Sequence, residues 1–267
     1  MQNRYVGDVG DFGKYGLLRR LCMPKEGVEG TGLRLGVAWY LVPDEVHNAD
    51  GKIVGYLNPT RTNLRNYRTC DPKLYDALAT IIRDQDRSVF RVQTDGILPA
   101  NTYFYSEILS FAGMPSIGQA VKTRCLGHRQ DWLNGALDAT RDSEIVFLGP
   151  DNGLEIRSMA RHRNKGPKHA FYDEISPFIQ RGQSVIVIHH ICHRDIVEEI
   201  HARLDQLHQF ISDYDQPFAL SYHRGTSPAF FILPNKAHRD ILVQRVKNML
   251  DGPWAKHFEL IEPAVAL

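Results

Sequence analysis

The sequence predicts an α/β protein with an open, mostly parallel β-sheet, helices on both faces and an antiparallel hairpin near the C-terminal end. Segments with strand character alternate with segments of helical periodicity along most of the chain. Two largely apolar runs, Glu144–Leu148 and Ser184–Ile188, lack alternation, which is typical of parallel strands covered on both faces. Two later strand-like segments, Phe218–His223 and Ala229–Leu233, are separated by a short polar turn and therefore indicate a hairpin.

The composition favours one folded domain over residues 1–267. Hydrophobic residues make up 43% of the chain and charged residues 24%, which excludes disordered and fibrous proteins. The formal net charge is +1, so no global field favours nucleic acid or acidic partners. The four cysteines form no C-x-x-C pair, and no run approaches the roughly 18 apolar residues that cross a bilayer. The first residues lack a signal-peptide core, so we expect a cytoplasmic protein without membrane contact, while the composition leaves its oligomeric state open.

The first half of the chain predicts helices and strands around an irregular section. Residues 1–22 form an N-terminal extension whose helix, capped by Asp8 or Asp11, ends near Cys22. Residues 44–85 are punctuated by Asn, Asp and Pro and indicate an irregular or helical insertion. The other elements expected here are a buried strand at Leu33–Val42, a helix at Pro72–Asp84 and a short strand at Ser88–Gln93.

The second half predicts the rest of the sheet and the helices that cover it. The strand at Glu144–Leu148 ends at a Gly-Pro pair, and the strand at Ser184–Ile188 ends at two histidines. Apolar residues at helical spacing mark the connecting segments. Helices are expected at Ser106–Gly113, Arg129–Thr140, Ile175–Arg181 and His193–Phe210, and from about Lys236 to Leu250.

The turn after the strand at Glu144–Leu148 is the main candidate site, because ligands in open α/β sheets bind beyond the carboxyl ends of the strands. Asp151 and Asn152 in this turn can accept hydrogen bonds from an amine, Pro150 stiffens the turn, and Gly153 permits a positive φ. An Asx turn that simply ends the strand explains the same residues.

The turn after the first strand offers carboxylates but no glycine-rich loop. Asp44 and Glu45 follow Val42-Pro43 directly. The chain contains no dinucleotide fingerprint, no P-loop and no G-x-S-x-G nucleophile elbow. These absences exclude the common motif-based nucleotide and hydrolase sites.

A basic segment follows the candidate turn, with no acidic residue between Ile156 and Tyr172. Such a cluster on a near-neutral chain predicts a loop that faces phosphate, although a solvated loop accounts for the same count. Its cations are Arg157, Arg161, Arg163, Lys165 and Lys168.

A histidine-rich segment follows the second apolar strand. His189, His190, Cys192 and His193 resemble a metal cluster, but the first two end a strand and no third ligand has a motif-like position. We therefore expect no metal here. The histidines are expected to line the cleft, and Asp195 is expected to cap the next helix.

The N-terminal helix carries an unusual number of glycines. Gly10, Gly13 and Gly16 each lower helix propensity by about 1 kcal/mol relative to alanine, so close packing or close approach of a ligand must favour them. Lys14 lies among them, where it can reach a carboxylate or phosphate unless it is an ordinary surface lysine.

Three segments in this order resemble the bacterial large-subunit ribosomal RNA adenine-N6 methyltransferase family. The segment Gly7-Asp8-Val9-Gly10-Asp11-Phe12-Gly13-Lys14-Tyr15 is similar in spacing to the family's G-N-x-A-D-x-x-K-H. Gly149-Pro150-Asp151-Asn152 stands where the family has its D-P-P-Y turn, and residues 226–235 are similar to its G-S-G hairpin and N-P-P. The chain departs from the family in lacking the glycine-rich cofactor loop and the first acid of the catalytic turn, where it has Gly149.

The resemblance implies a Rossmann-like methyltransferase-type sheet that takes S-adenosylmethionine as donor and RNA or DNA as partner. It implies that Asp151 and Asn152 accept hydrogen bonds from a base amine, with Pro150 shaping the turn and Lys14 orienting it. Tyr5 or Phe12 would stack on an extruded base. The same comparison implies donor contacts for Asp44, Glu45, Gly7, Asp8 and Asp11, and substrate contacts for the five basic residues.

Two other functions remain open at this point. A nuclease or phosphodiesterase would hold Mg²⁺ or Mn²⁺ through carboxylates and histidines. Its candidate ligands are Asp8, Asp11, Asp151, Glu155, His189 and His193. An inactive methyltransferase-fold module that binds nucleic acid is the third possibility, because fold alone does not imply activity.

Overall fold

A mixed seven-stranded sheet forms the centre of the protein. The computed structural model describes residues 1–24, 32–46, 50–114, 118–191 and 195–263, apart from the side chain of Gln119. The sheet has the order β2-β1-β3-β6-β8-β7-β9, and β4 and β5 form a separate two-stranded ladder. The strands are β1 (Leu35–Ala38), β2 (Tyr103–Tyr105), β3 (Ile145–Leu148), β4 (Gly153–Leu154), β5 (His169–Ala170), β6 (Ser184–His190), β7 (Phe218–Tyr222), β8 (Pro228–Leu233) and β9 (Phe258–Ile261).

Eight α-helices accompany these strands in the described part of the chain. None of them combines the length and apolar character needed to span a bilayer. They are α1 (Val9–Cys22), α2 (Arg61–Asn63), α3 (Pro72–Asp84), α4 (Val89–Thr94), α5 (Gln119–Ala139), α6 (Tyr172–Gln180), α7 (Ile196–Phe210) and α8 (Arg239–Leu250).

The sheet divides into a parallel core and an antiparallel end. Strand β1 pairs in parallel with β2 and β3, and β3 pairs in parallel with β6. Strand β8 lies between β6 and β7 and is antiparallel to both, while β9 is antiparallel to β7. The predicted α/β class and the late antiparallel hairpin are therefore confirmed. The prediction of a mostly parallel sheet is wrong, since three of the six strand pairings that the described residues form in the seven-stranded sheet are antiparallel. The strands β2 and β9 were not predicted.

Alternate residues of the strands pack into two hydrophobic clusters, one on each face of the sheet. Val37, Phe147 and Ile186 pack on one face with α1, α3 and α8. Val146 and Val187 pack on the other face with α5, α6 and α7. This arrangement confirms helices on both faces, and it explains the unbroken apolar runs of β3 and β6.

The segment Ser88–Gln93 is helical, so the prediction of a strand there is wrong. Ser88 caps α4 because its hydroxyl accepts a hydrogen bond from the backbone amide of Arg91 at 3.3 Å. Val89 and Val92, three positions apart, are the buried residues of this helix. Residues three positions apart lie on the same face of a helix, so the spacing of these two valines fits a helix and not a strand.

The segment Ser106–Gly113 is not helical, which corrects a second prediction. Ile108 forms a parallel bridge with Leu41, and the amide of Leu109 donates to the Leu41 carbonyl at 2.8 Å. This segment thus prolongs the β1–β2 pairing beyond the ends of the named strands. The helix predicted at Arg129–Thr140 begins earlier, at Gln119, and the start of the predicted His193–Phe210 helix falls partly outside the described residues.

The glycines of α1 allow two aromatic rings, Tyr222 of β7 and Trp254 of the turn before β9, to approach the helix backbone. A Cβ atom at Gly13 would lie 2.5 Å from the ring of Tyr222, and one at Gly16 would overlap the ring of Trp254. Both rings are buried. Close packing, rather than approach of a ligand, therefore accounts for these two glycines.

His257 makes stability depend on pH. Its ring is fully buried, with Nε2 2.8 Å from the Asn66 carbonyl and Nδ1 accepting from Arg224 at 3.2 Å, a pattern that fits only the neutral ring. Burial, helped by the charge of Arg224, lowers the pKa of His257 from 6.5 to about 4. The unfolded chain therefore binds more protons in this range, so the stability is present above pH 6.5 and is lost as pH falls toward 4.

We expect the free energy of unfolding to fall by up to about 3 kcal/mol between pH 7 and pH 4 through this residue. Denaturant unfolding of the native protein and His257→Gln at several pH values measures the effect, and the variant should show a flatter dependence. His208→Gln, which changes an exposed histidine, serves as the control. An unchanged pH dependence in His257→Gln would contradict the assignment.

Candidate functional site

The carboxyl ends of β1, β3 and β6 converge on a cluster of polar side chains that lies beside Asp151. Asp151 lies in the turn that follows β3, and it is 8% exposed. Its Oδ2 atom accepts a hydrogen bond from the side-chain amide of Gln2 at 2.9 Å and pairs with Lys168 at 3.0 Å. Its Oδ1 atom is buried and accepts no hydrogen bond from the residues that the structure describes. The residues Met1, Gln2, Glu45, Asp151 and Lys168 are called the polar cluster from here on.

Lys168 joins the two loops that follow β1 and β3. Its ammonium lies 2.6 Å from Glu45 Oε1 and 3.0 Å from Asp151 Oδ2, and its side chain is only 13% exposed. Gln2 spans the same pair, because its amide nitrogen is 3.4 Å from Glu45 Oε2 and its amide oxygen accepts from the Glu45 backbone at 2.8 Å. The carboxylates therefore share one cation and one amide.

The α-amino group of Met1 lies at the junction of the β1 and β3 loops. It donates to the carbonyl oxygens of Tyr40 at 3.0 Å and Gly149 at 3.1 Å, and lies 3.8 Å from Asp151 Oδ1. Tyr40 has a φ of 46°, in the left-handed region that non-glycine residues seldom adopt. This backbone conformation is a local irregularity placed at the site, as strained residues at binding sites often are.

The electrostatics of the cluster favour the ionised form of Asp151. Burial alone would raise the pKa of Asp151, but the attraction of the Met1 amino group and of Lys168, with the Gln2 hydrogen bond, lowers it to about 2. Burial lowers the pKa of the Met1 amino group to about 5 against the attraction of Asp151. The Met1 amino group is therefore uncharged at pH 7, and Lys168, 3.0 Å from Asp151 Oδ2, is the cation that keeps Asp151 ionised there.

Lys14 and Asp11 form a second buried pair next to the cluster. The Lys14 ammonium lies 2.6 Å from Asp11 Oδ1 and 3.3 Å from the Met1 sulfur, and Asp11 Oδ2 accepts from Tyr15 at 2.7 Å. Lys14 is only 6% exposed and Asp11 3%. Lys14 therefore contacts a carboxylate and a thioether in the protein interior and is not a surface lysine.

Asn152 and the neighbouring histidines line the same edge of the sheet. The amide of Asn152 contacts His169 Nε2 at 3.2 Å, and its backbone donates to the Lys168 carbonyl at 2.8 Å. His190 Nδ1 lies 2.9 Å from the hydroxyl of Thr226 in the β7–β8 turn. Burial lowers the pKa of His190 to about 4, so the ring is neutral at pH 7.

His189 has a structural role at the end of β6. Its Nδ1 accepts from the backbone amide of Leu154 at 3.1 Å, and its Nε2 lies 3.3 Å from Glu199. Gly153 has a φ of 109°, as the sequence predicted for this turn, and a Cβ there would overlap His189. Both nitrogens of His189 are therefore engaged within the protein.

The predicted metal ligands are not brought together. Within residues 1–24, 32–46, 50–114, 118–191 and 195–263, no three His, Cys, Asp or Glu residues are grouped so that they could hold a metal ion. Both oxygens of Asp8 accept backbone hydrogen bonds, from Gly10 and Ile53 at 2.9 Å each. Cys192 and His193 lie outside the described residues.

The basic segment divides into two groups. Arg161 forms a bidentate pair with Asp173, both distances being 2.8 Å, and Lys168 belongs to the polar cluster. The other three cations are exposed and form no ion pair with any residue that the structure describes. These three residues are Arg157, Arg163 and Lys165.

The remaining predicted site residues lie around the start of the chain. Asp44 accepts from the Arg4 backbone at 3.3 Å, and the Gly7 carbonyl accepts from Tyr56 at 3.2 Å. The Tyr5 hydroxyl accepts from Gln2 at 3.0 Å, whereas the ring of Phe12 is fully buried and stacked on Trp254 at 5.0 Å. Both faces of Phe12 are thus enclosed by the core. Pro150 is buried in the turn before Asp151.

Sequence reasoning missed Gln2, Tyr40 and the amino group of Met1. A signal for Tyr40 was present, since it lies just before the loop after the first strand, where a ligand site was sought. Gln2 gave no signal, because its contacts with Asp151 span 149 positions.

Comparison of the chain with known protein families, with curated proteins and with solved structures finds no match in any of the three.

Proposed function

We propose that this chain is an S-adenosylmethionine-dependent methyltransferase that acts on an amino group of a nucleic-acid base. Its sheet supports the proposal, since a parallel core followed by an antiparallel hairpin is the Rossmann-like arrangement implied by the resemblance. The polar turn of Asp151 follows a central strand of that core, where ligands of open α/β sheets bind.

One observation carries the proposal: a methionine is held at the junction of the β1 and β3 loops. Its amino group donates to the Tyr40 and Gly149 carbonyls at 3.0 and 3.1 Å. The donor has a methionine moiety with the same amino group. The acceptors that hold Met1 therefore suit the aminoacyl end of the donor, once residues 1 and 2 have moved aside.

The chain's residues have distinct roles in this proposal. The carbonyls of Tyr40 and Gly149 hold the donor amino group, and S-adenosylmethionine supplies an electrophilic methyl group when it is bound. Asp151 accepts a hydrogen bond from the base amine through Oδ1, which is buried and has no hydrogen-bond donor among the described residues. Asn152 offers a second acceptor, and Pro150 shapes the turn. Such positioning needs no strong base, which is consistent with the low pKa of Asp151.

Lys168 keeps Asp151 ionised and in place. An ionised carboxylate has no proton to donate, so its oxygens only accept hydrogen bonds, and the base amine can act as the donor. Lys168 also holds Glu45, and thereby connects the loop after β1 to the catalytic turn. The scattered carboxylates argue against the metal-dependent nuclease, since Asp8, Asp11 and Asp151 each have other partners.

Isothermal titration calorimetry of the protein with S-adenosylmethionine and with its demethylated product tests the donor site. We expect saturable binding of both ligands, since both have the methionine-derived amino group that the Tyr40 and Gly149 carbonyls accept. ATP, which shares the adenosine but lacks the methionine moiety, is the control ligand. Absence of binding by both donor and product would overturn the proposal and leave the inactive module as the better description.

Gln2→Ala is expected to increase donor affinity by about three- to tenfold. Gln2 anchors the chain's first residues through hydrogen bonds to Asp151 and Glu45, and weakening that anchor raises the fraction of molecules with an accessible site. Titration calorimetry measures the change, and Gln244→Ala on the exposed face of α8 is the control. A weaker donor affinity in Gln2→Ala would show instead that Gln2 supports binding.

A further inference from the structure

We propose that a groove between α5 and residues 155–165 binds a single-stranded nucleic acid. Two adjoining cavities of about 750 and about 520 Å³ lie along this groove. Both cavities are lined by Lys122, Met159 and His162, so they form one continuous depression. The choice of nucleic acid as occupant rests on the proposed function.

The charged side of the groove is complementary to a phosphate backbone. Arg157, Arg163 and Lys165 line it from the loop, and Lys122 lines it from α5. The three loop cations are exposed and form no ion pair with the described residues. The nearby acids do not cancel this charge, since Asp173 is paired with Arg161 and the remaining acid of the lining, Glu155, faces four cations. Unpaired cations along a groove are the usual means of following a nucleic-acid strand.

The floor of the groove is apolar. Phe111 and Cys125 are buried beneath it, and Met114, Val121 and Met159 complete the surface. A polyanion without apolar groups would make no favourable contact with such a floor. A nucleotide would contact both parts of the groove, because its base and ribose can pack on apolar and sulfur-containing side chains while its phosphate reaches the cations.

The loop that carries the cations is held rigidly against α5. Arg129 on α5 is 3% exposed, and its guanidinium pairs with Glu174 and donates to the carbonyls of Gly166 at 2.9 Å and His169. The ring of Phe171 lies between the guanidinium groups of Arg129 and Arg161, each 4.7 Å from its centroid. The unpaired cations therefore project from an ordered loop, which lowers the entropic cost of binding.

Both ends of this loop lie near the turn that contains Asp151. Asn152 and Gly153 precede it, and Lys168 at its end contacts Asp151. A strand that follows the groove is thus led toward the residues assigned to the base amine. The groove supplies affinity for the backbone, and the polar cluster supplies the position of the target base.

Fluorescence anisotropy with a labelled single-stranded RNA of about 12 nucleotides tests the groove. The variant Arg163→Glu/Lys165→Glu should bind at least about tenfold more weakly than the unchanged protein. The slope of log Kd against log salt should fall by about 0.7 for each phosphate that the variant no longer neutralises. The control is Lys236→Glu/Lys247→Glu, which makes the same change of net charge at exposed lysines outside the groove.

Equal weakening by the two variants would overturn the proposal, because net charge alone would then explain binding. Failure of the unchanged protein to bind the RNA at about 50 mM salt would also overturn it. An abasic oligonucleotide should bind more weakly than the RNA, and equal affinity would exclude a role for the apolar floor. The assay contains no donor, and the calorimetric test contains no nucleic acid, so the two proposals fail independently.

Discussion

Replacing Gly16 with alanine is expected to lower the free energy of unfolding by about 3 kcal/mol, a large effect for one methyl group. The added Cβ would overlap the ring of Trp254, which is 1% exposed and stacked on Phe12 at 5.0 Å. The ring cannot move away without disturbing Phe258, 5.8 Å from it. The α1 helix must therefore shift from the sheet, or the ring must leave its site.

Gly10→Ala in the same helix is the matched control. A Cβ at Gly10 would meet no atom closer than 3.4 Å, so this change adds helix propensity without overlap. Denaturant unfolding should show Gly10→Ala to be as stable as the native protein or up to about 1 kcal/mol more stable. Similar midpoints for Gly10→Ala and Gly16→Ala would show that α1 does not depend on close approach to Trp254.

The elements that the sequence predicted well are those specified by local chemistry. Helix α3 has the predicted bounds, Pro72–Asp84, because Asp71 caps it and Pro72 begins it. Strands β3 and β6 are apolar on both faces, and the hairpin of β7 and β8 surrounds a polar turn. In each case the pattern of a few consecutive residues determines the structure.

The elements that were missed are specified by distant partners. Strand β2 has only three half-buried residues, and its pairing with β1 joins segments some 67 positions apart, as in Gly36 with Tyr103. Strand β9 is likewise defined by its pairing with β7, from which it is separated in the sequence by strand β8 and helix α8. No local periodicity encodes such contacts, so the sequence could not show them.

The candidate site likewise combines residues that the sequence predicts with long-range contacts that it does not predict. Asp151 and Asn152 could be predicted because a polar turn follows a buried strand. The link of Asp151 to Gln2 and Lys168, and that of Lys168 to Glu45, depends on the path of three separate loops. Phe12 was expected to stack on a base because aromatic residues do so at active sites, but helical packing places its ring in the core.

Asp151→Ala is expected to lower the rate of methyl transfer by about 100-fold or more, the effect seen when one preorganised group at a reacting centre is removed. The substitution removes the buried acceptor Oδ1 and leaves Lys168 with Glu45 as its partner. Transfer of tritiated methyl groups from S-adenosylmethionine to a mixture of RNA and single-stranded DNA oligonucleotides measures the rate. Thermal unfolding of the same variant checks that the fold is retained.

Asp151→Asn separates the role of the acceptor from that of the charge. Asparagine keeps one acceptor oxygen of similar shape but cannot pair ionically with Lys168. If Asp151 acts by accepting a hydrogen bond from the base amine, Asp151→Asn should retain clearly more activity than Asp151→Ala. If its charge orders the polar cluster instead, the two variants should lose activity equally and donor affinity should fall with it. A native rate in Asp151→Ala would remove Asp151 from the chemistry altogether.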